Sequence, residues 1–135
     1  MKKITSKFEN CNILVADDYI INQELVKEML EMMGCGVDVA EDGEEALELY
    51  QAGNYDLIFM DVQMPELDGY EVTAKIRGFE ADDKHTPIVA VTANALSGDK
   101  EKCIEAGMDD YISKPIKGES LEEMLIKYLP EKISS

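Results

Sequence analysis

Five ionisable or hydroxyl side chains stand where short apolar runs stop. Asp17 and Asp18 follow Ile13-Leu14-Val15-Ala16, and Asp61 follows Leu57-Ile58-Phe59-Met60. Thr92 ends the run that begins Ile88-Val89-Ala90-Val91, and Lys114 follows Tyr111-Ile112-Ser113 and precedes Pro115. Gathered in one crevice, these groups would be three carboxylates, a hydroxyl and an ammonium. Two unit charges ~5 Å apart at an effective dielectric of ~20 repel by roughly 3 kcal/mol, about two pKa units for each pair. Either one carboxyl stays protonated at neutral pH or a cation joins them. A hard divalent ion, Mg²⁺, suits carboxylates plus water, and Lys114 adds a positive charge on a mobile stem. Such a site suits phosphoryl transfer, in which negative charge spreads over three equatorial oxygens and catalysis is mostly positioning and electrostatic stabilisation. Mg²⁺, Lys114 and the Thr92 hydroxyl could each hold one oxygen. A carboxylate can serve as the nucleophile. Asp61 is the better candidate, because the adjacent Asp17 and Asp18 look like metal ligands. No His/Cys/Asp arrangement offers another nucleophile, and the chain has no Gly-rich phosphate loop of the nucleotide-binding type.

The elements that must bring these residues together are legible as an alternation. Ile13–Ala16, Val37–Ala40, Leu57–Met60 and Ile88–Val91 are compact runs rich in Val and Ile and read as strands, with Tyr111–Ser113 a shorter fifth. Helical spacing fills the intervals. Leu25, Met29 and Met32 interleave with Val26, Leu30 and Met33, all at i, i+4, i+7. Leu47 with Tyr50, Val72 with Ile76, and a poorly striped segment over 97–106 read as further helices. Leu121, Met124, Leu125, Tyr128 and Leu129 form the best stripe. Gly34, Gly53 and Gly107 each follow a helical segment, where a left-handed cap is expected. Five β units alternating with five α units predict an α/β domain with a parallel sheet and right-handed crossovers. At this length the sheet must be open, since a (β/α)₈ barrel needs roughly 250 residues. In an open parallel sheet, ligands bind outside the carboxyl ends of the strands, where the five side chains sit.

Composition narrows the function. The chain has 135 residues, one domain's worth, with 45% apolar and 31% charged side chains. Asp and Glu number 29 against 13 Lys and Arg, a formal net charge of −16. That opposes direct binding to nucleic acid or to an anionic membrane surface. No apolar run approaches a membrane span, and Met1–Lys7 has no apolar stretch of a secretory signal. Cys11, Cys35 and Cys103 are scattered, without metal-type spacing, and read as free thiols in a reducing cytoplasm. Residues 1–9 and 131–135 read as tails around a domain over 10–130.

Four stretches then carry a specific resemblance: Ile13-Leu14-Val15-Ala16-Asp17-Asp18, Met60-Asp61-Val62-Gln63-Met64-Pro65-Glu66-Leu67-Asp68-Gly69, Val91-Thr92-Ala93-Asn94-Ala95 and Gly107-Met108-Asp109-Asp110-Tyr111-Ile112-Ser113-Lys114-Pro115. In that order the chain resembles the receiver domain of two-component response regulators over roughly residues 10–130. The resemblance implies a flavodoxin-like (βα)₅ fold with strand order 2-1-3-4-5. It implies that Asp61 accepts a phosphoryl group from a phosphohistidine. Asp18 would bind Mg²⁺ directly and Asp17 through water, with Asp61 and the Val62 carbonyl completing the protein ligands. Lys114 would contact the phosphoryl group, aimed by a cis Lys114–Pro115 bond. Thr92 would move to hydrogen-bond that group, and Tyr111 would turn inward behind it. Gln63 and Asn94 would flank the acyl phosphate and influence its lifetime. Asn22-Gln23 and the loops after Asp61 and Thr92 resemble receivers of hybrid sensor histidine kinases, although Asp17 and Tyr19 stand where that subgroup often has Glu and Asn. The partner would be a histidine kinase or a histidine phosphotransfer domain, bound near the first helix or on the face formed by 97–106 and strand five. The domain would be a monomer or weak dimer, not an enzyme beyond its own phosphorylation and dephosphorylation, with its output supplied by another chain or a larger parent.

Plainer roles compete for each residue. Asp17, Asp18 and Thr92 are good helix N-caps. Lys114 alone reads as a surface lysine, Tyr111 as a half-buried aromatic, and His85 as a solvated loop residue. Met29, Met32 and Met33 read as core filler, and Met64 has the better claim to a partner surface. Two other functions fit part of the pattern. Haloacid-dehalogenase-type phosphatases share an Asp nucleophile, a hydroxyl, a Lys and acidic ligands, but place the nucleophile after the first strand in an Asp-x-Asp pattern that is absent here. A receiver-like module without phosphorylation would not need the acidic, Thr and Lys positions intact.

Overall fold

The computed structural model describes residues 7–64, 66–80, 84–93 and 99–134. Each apolar run forms a strand: β1 (Asn12–Ala16), β2 (Gly36–Ala40), β3 (Leu57–Asp61), β4 (Ile88–Thr92) and β5 (Asp110–Ser113). Helices α1 (Ile20–Met32), α2 (Gly43–Ala52), α3 (Gly69–Phe79), α4 (Asp99–Ala106) and α5 (Gly118–Tyr128) follow them in turn, and a 3₁₀ turn spans Pro130–Lys132. All four ladders are parallel and the order is β2-β1-β3-β4-β5. This is the expected flavodoxin-like sheet, whose order reverses beside β1 and opens a crevice there.

Alternation along each strand divides the core into two layers. Ile13, Val15, Leu57, Phe59, Val89 and Val91 pack beneath Val26 and Leu30 of α1 and Leu121 and Leu125 of α5. Leu14, Ala16, Ile58, Met60, Ile88 and Ala90 pack against Ala46 of α2, Val72 and Ile76 of α3 and Cys103 of α4. Every residue of β3 and β4 is buried, as expected for strands covered on both faces. β2, at the sheet edge, is only half covered and carries exposed Asp38.

Several expectations are corrected by how the helices sit. Of the interleaved sets in α1, Val26, Leu30 and Met33 are buried, whereas Leu25 and Met32 are 44% and 58% exposed and Met29 is half-buried. Adjacent positions on a helix differ by ~100°, so a helix lying on a sheet can bury only one of two such stripes. Gly34 and Gly107 adopt the left-handed conformation, with φ of 93° and 102°. Gly53 does not: it is extended, and its N–H closes α2 on the Leu49 carbonyl. The first part of the segment expected to be helical over 97–106 lies outside the described residues. His85 is exposed but not merely solvated, since its Nε2 lies 2.6 Å from Asp109 Oδ1.

The two ends of the described chain meet. Phe8 is buried and bridges Ile133 in antiparallel fashion. Its N–H donates to the Met33 carbonyl (2.7 Å), and Ser134 N–H donates to the Lys7 carbonyl (2.7 Å). Residues 7–9 and 131–134, read from sequence as tails, are therefore docked. A single apolar residue in a polar stretch gives no periodic signal, so Phe8 could not be placed in advance.

Gly34 combines two constraints. Its φ is positive, and a Cβ there would collide with the Phe8 carbonyl oxygen. Gly78, in α3, would meet nothing within 4 Å. Gly34→Ala is expected to cost about 1–3 kcal/mol of unfolding free energy. Gly78→Ala is expected to gain roughly 0.5–1 kcal/mol through helix propensity. Urea denaturation of both variants measures the contrast, and equal effects would contradict this account.

Candidate functional site at the carboxyl ends of the strands

The last residues of β1, β3, β4 and β5 lie along one edge of the sheet. Asp61 ends β3 beside Val91 of β4, and Asp17 and Asp18 leave β1, which pairs with β3 through Ala16 and Met60. Oxygens of Asp17, Asp18 and Asp61 all lie within 4.8 Å of one another. Lys114 Nζ donates to Asp61 Oδ2 at 3.0 Å, and the Lys114 N–H donates to the Thr92 carbonyl at 2.9 Å, which ties the residue after β5 to the end of β4. The Lys114–Pro115 bond is cis. Asp61, Val62, Gln63, Asp18 and Lys114 line a crevice of about 750 Å³ together with Met64, Asp68 and Tyr70.

Backbone donors hold the acids in place. Asp61 Oδ1 accepts from the Gln63 N–H at 2.9 Å, and Asp17 Oδ1 accepts from the Tyr19 N–H at 2.9 Å. The Val62 carbonyl accepts from the Gly69 N–H at 3.2 Å, so one of its two lone pairs is engaged. That contact depends on a glycine, because a Cβ at Gly69 would collide with the Asp61 carbonyl oxygen. Neither Asp17 nor Asp18 caps a helix: Tyr19 occupies the N-cap of α1 and makes no side-chain cap. Thr92 is buried as the last residue of β4.

Asp17 is 2% exposed and Asp61 1% exposed, whereas Asp18 is open to solvent. Burial raises the Asp17 carboxyl above its ordinary value, and the Asp61 charge acts in the same direction. The Tyr19 N–H, Lys114 and the Asn22 side chain oppose the shift without cancelling it. Among the described residues, one ammonium thus faces three carboxylates, and the crevice has an uncompensated demand for positive charge.

The remaining expected residues are distributed unevenly. Tyr111 is half-buried two residues before Ser113, the partner of Thr92 in the ladder. It lines a separate groove of about 500 Å³ between α4, β5 and α5, with Cys103, Ile104, Met124 and Lys127 among its walls. Asn94 lies outside the described residues. Met64 is 7% exposed and packed in the core layer of α2 and α3, which withdraws it as a partner contact. Tyr19 is 53% exposed.

Gln23, noted in the sequence only as part of the Asn22-Gln23 pair, has a positioning role that the sequence reading did not assign. The buried side chain of Gln23, one turn into α1, donates from Nε2 to the Asp17 carbonyl at 2.7 Å. With the Tyr19 N–H it fixes the acidic turn from both its side chain and its backbone. An amide on the buried face of an otherwise apolar stripe, next to Val26, was the available signal.

Comparison with known proteins agrees with this arrangement. The response regulator receiver domain family matches residues 13–126. Hybrid signal transduction histidine kinase I of Dictyostelium discoideum is 45% identical over 133 residues, covering 91% of this chain and 8% of that protein. The signal transduction histidine-protein kinase BarA of Shigella flexneri is 39% identical over 118 residues, covering 87% of this chain and 13% of that protein. The chain thus spans a small fraction of these relatives. Among solved structures, the receiver domain of a sensor histidine kinase from Pseudomonas aeruginosa, with magnesium in its active-site cleft, superposes with a TM-score of 0.82 at 38% identity, covering 90% of this chain and 99% of that one. The receiver domain of Ssk1 from Saccharomyces cerevisiae, crystallised with the histidine phosphotransfer protein Ypd1, gives 0.82 at 30% identity, covering 93% and 91%. A parallel sheet that gathers distant acids around one lysine, in a sequence this close to signalling receivers, identifies the chain as a member of the response regulator receiver domain family of two-component signal transduction.

Proposed function

We propose that the domain takes a phosphoryl group from a phosphohistidine onto Asp61 and converts the new charge into a change of its partner surfaces. The observation that carries this reading is the cluster of Asp17, Asp18 and Asp61 oxygens within 4.8 Å, with Lys114 Nζ on Asp61. Magnesium fits the donor set, because the available ligands are hard oxygens. Asp18 and Asp61 would hold it directly and Asp17 through water, and the second lone pair of the Val62 carbonyl remains for it. When bound, the ion offsets charge that the acids and the phosphoryl oxygens bring together.

A carboxylate oxygen of Asp61 attacks phosphorus as the phosphorus–nitrogen bond breaks. The electron pair stays on the imidazole nitrogen, which takes up a proton. Lys114 shifts from Asp61 to a phosphoryl oxygen, and the Thr92 hydroxyl donates to another. Tyr111 then turns toward the space that Thr92 leaves, which changes the groove between α4 and α5. Gln63 and Asn94 govern the approach of the hydrolysing water. The domain performs one transfer, and water then cleaves the acyl phosphate, restoring the Asp61 carboxylate and releasing inorganic phosphate.

The phosphodonor would be a histidine kinase or a histidine phosphotransfer domain. Tyr19, Ile20, Ile21 and Leu25 are 53%, 61%, 58% and 44% exposed at the start of α1, directly after the acidic pair. Apolar surface beside a reactive crevice favours a protein donor that must seat its histidine there.

Wild-type protein given magnesium and a small phosphodonor is expected to gain the mass of one HPO₃, and Asp61→Asn none. Intact-mass spectrometry decides, and an unmodified wild type would defeat the proposal. Ile21→Glu is expected to slow transfer from a phosphotransfer domain at least about tenfold, a loss of roughly 1.4 kcal/mol. The same variant should leave phosphorylation by a small donor unchanged, and equal loss in both assays would point away from α1 docking. Asp17 gives a third test. A carboxyl raised in the folded state contributes stability below the ordinary value of 3.8 and loses it as pH climbs through the raised value. Metal-free wild type should therefore weaken across that interval. Asp17→Asn should abolish the weakening and be more stable at neutral pH by on the order of 1 kcal/mol. Magnesium at a hundredfold excess over Kd should stabilise wild type by about 2.7 kcal/mol, and the variant much less. Thermal melts with and without magnesium measure both, and a destabilised metal-free variant would refute the reading.

A further inference from the structure

Cys11 and Cys35, 24 residues apart in sequence, touch in the fold. Cys11 immediately precedes β1 and Cys35 immediately precedes β2. Those strands pair in parallel with Asn12 opposite Gly36, and the Gly36 N–H donates to the Cys11 carbonyl at 2.8 Å. The cysteines therefore stand side by side at the start of the ladder. Both side chains enter the core layer beneath α1 and α5, in step with Ile13 and Val15, because alternate strand residues share a face. Their sulfurs are 3.4 Å apart. Neighbouring strands run about 4.8 Å apart, inside the roughly 4.4–6.8 Å between Cα atoms that a disulfide accepts. Small side-chain rotations bring the sulfurs into bonding distance.

We propose that Cys11 and Cys35 form a redox-modifiable site, a dithiol that small-molecule disulfides close into an intramolecular bond between the starts of β1 and β2. The sulfur of Cys35 attacks one sulfur of the oxidant, making a mixed disulfide and releasing one small thiol. Cys11 then loses its proton, attacks the Cys35 sulfur and expels the second small thiol. Two protein thiols are oxidised and one small disulfide is reduced. Their contact favours this order. The neighbouring Cys11 thiol stabilises the first thiolate and lowers Cys35, with burial and Asp56 opposing. The Cys35 neighbour and burial together raise Cys11.

Access would run past the docked segments around Phe8 and Ile133. The thiols are 3% and 5% exposed. Phe8 lies in the same buried cluster and against Gly34, next to Cys35. Fraying of the short pairing around Phe8 and Ile133 would open the pocket to an oxidant. The bond would enclose β1, the acidic turn at Asp17 and Asp18, and all of α1 with its exposed apolar start. It is independent of the phosphoryl reading, since no group at the crevice takes part.

The full chain, first reduced, is incubated with glutathione disulfide, quenched in acid, unfolded, alkylated with iodoacetamide and weighed. Of the three cysteines, only Cys103 should remain alkylatable, peptide mapping should join Cys11 to Cys35, and dithiothreitol should restore full alkylation. Cys103→Ala should form the same bond, whereas Cys11→Ala should retain glutathione on Cys35. Full alkylation of oxidised wild type would overturn the proposal, as would glutathione retained on it without the Cys11–Cys35 bond.

Discussion

Mutual repulsion of three carboxylates is the constraint on which this site depends. Asp17, Asp18 and Asp61 have no reason to approach within 4.8 Å on their own account. Hydrophobic burial along β1 and β3 forces the approach, because Ile13 to Ala16 and Leu57 to Met60 are all but fully buried. The core holds the acids against their repulsion, and the relief comes only in part from Lys114. On the proposed reading, such a pocket would take positive charge and then a phosphoryl group, whose oxygens the same cation and lysine would hold. Stability surrendered locally is the source of reactivity.

The supports of the acidic turn show how closely the fold serves that purpose. Asp17 is held through its side chain by the Tyr19 N–H, through its carbonyl by Gln23, and through its own N–H by the Ala40 carbonyl at 3.1 Å. Asp61 is held by the Gln63 N–H and by Lys114. Across the crevice, Gly69 lets α3 approach the end of β3 so closely that its N–H reaches Val62. Each of these contacts limits the freedom of an atom that the proposed phosphoryl transfer would use.

Much of this was legible in the chain itself. Buried parallel strands are short apolar runs, and their carboxyl ends converge by topology, so Asp17, Asp18, Asp61, Thr92 and Lys114 could be grouped before any coordinate was known. What escaped the sequence involves partners that periodicity does not report. Phe8 docks because Gly34 leaves room for its carbonyl, a contact between residues 26 positions apart. Leu25 and Met32 share the spacing of a core stripe but face solvent, since only the placement of α1 on the sheet selects between two equivalent stripes. Cys11 and Cys35 looked unrelated until strand register set them side by side. Tyr111, expected to turn inward behind Thr92, lines the groove between α4, β5 and α5, a placement that depends on how those elements pack and not on residue spacing.

The most direct test of the central idea is a calorimetric titration of magnesium into wild type and into Asp18→Asn, Asp61→Asn and the double variant. Acids gathered around one shared cation should bind a single ion in wild type, weaken by tenfold or more in each single variant, and lose less in the double variant than the two single losses summed. Magnesium affinity unchanged by either substitution, or absent from wild type, would contradict the account.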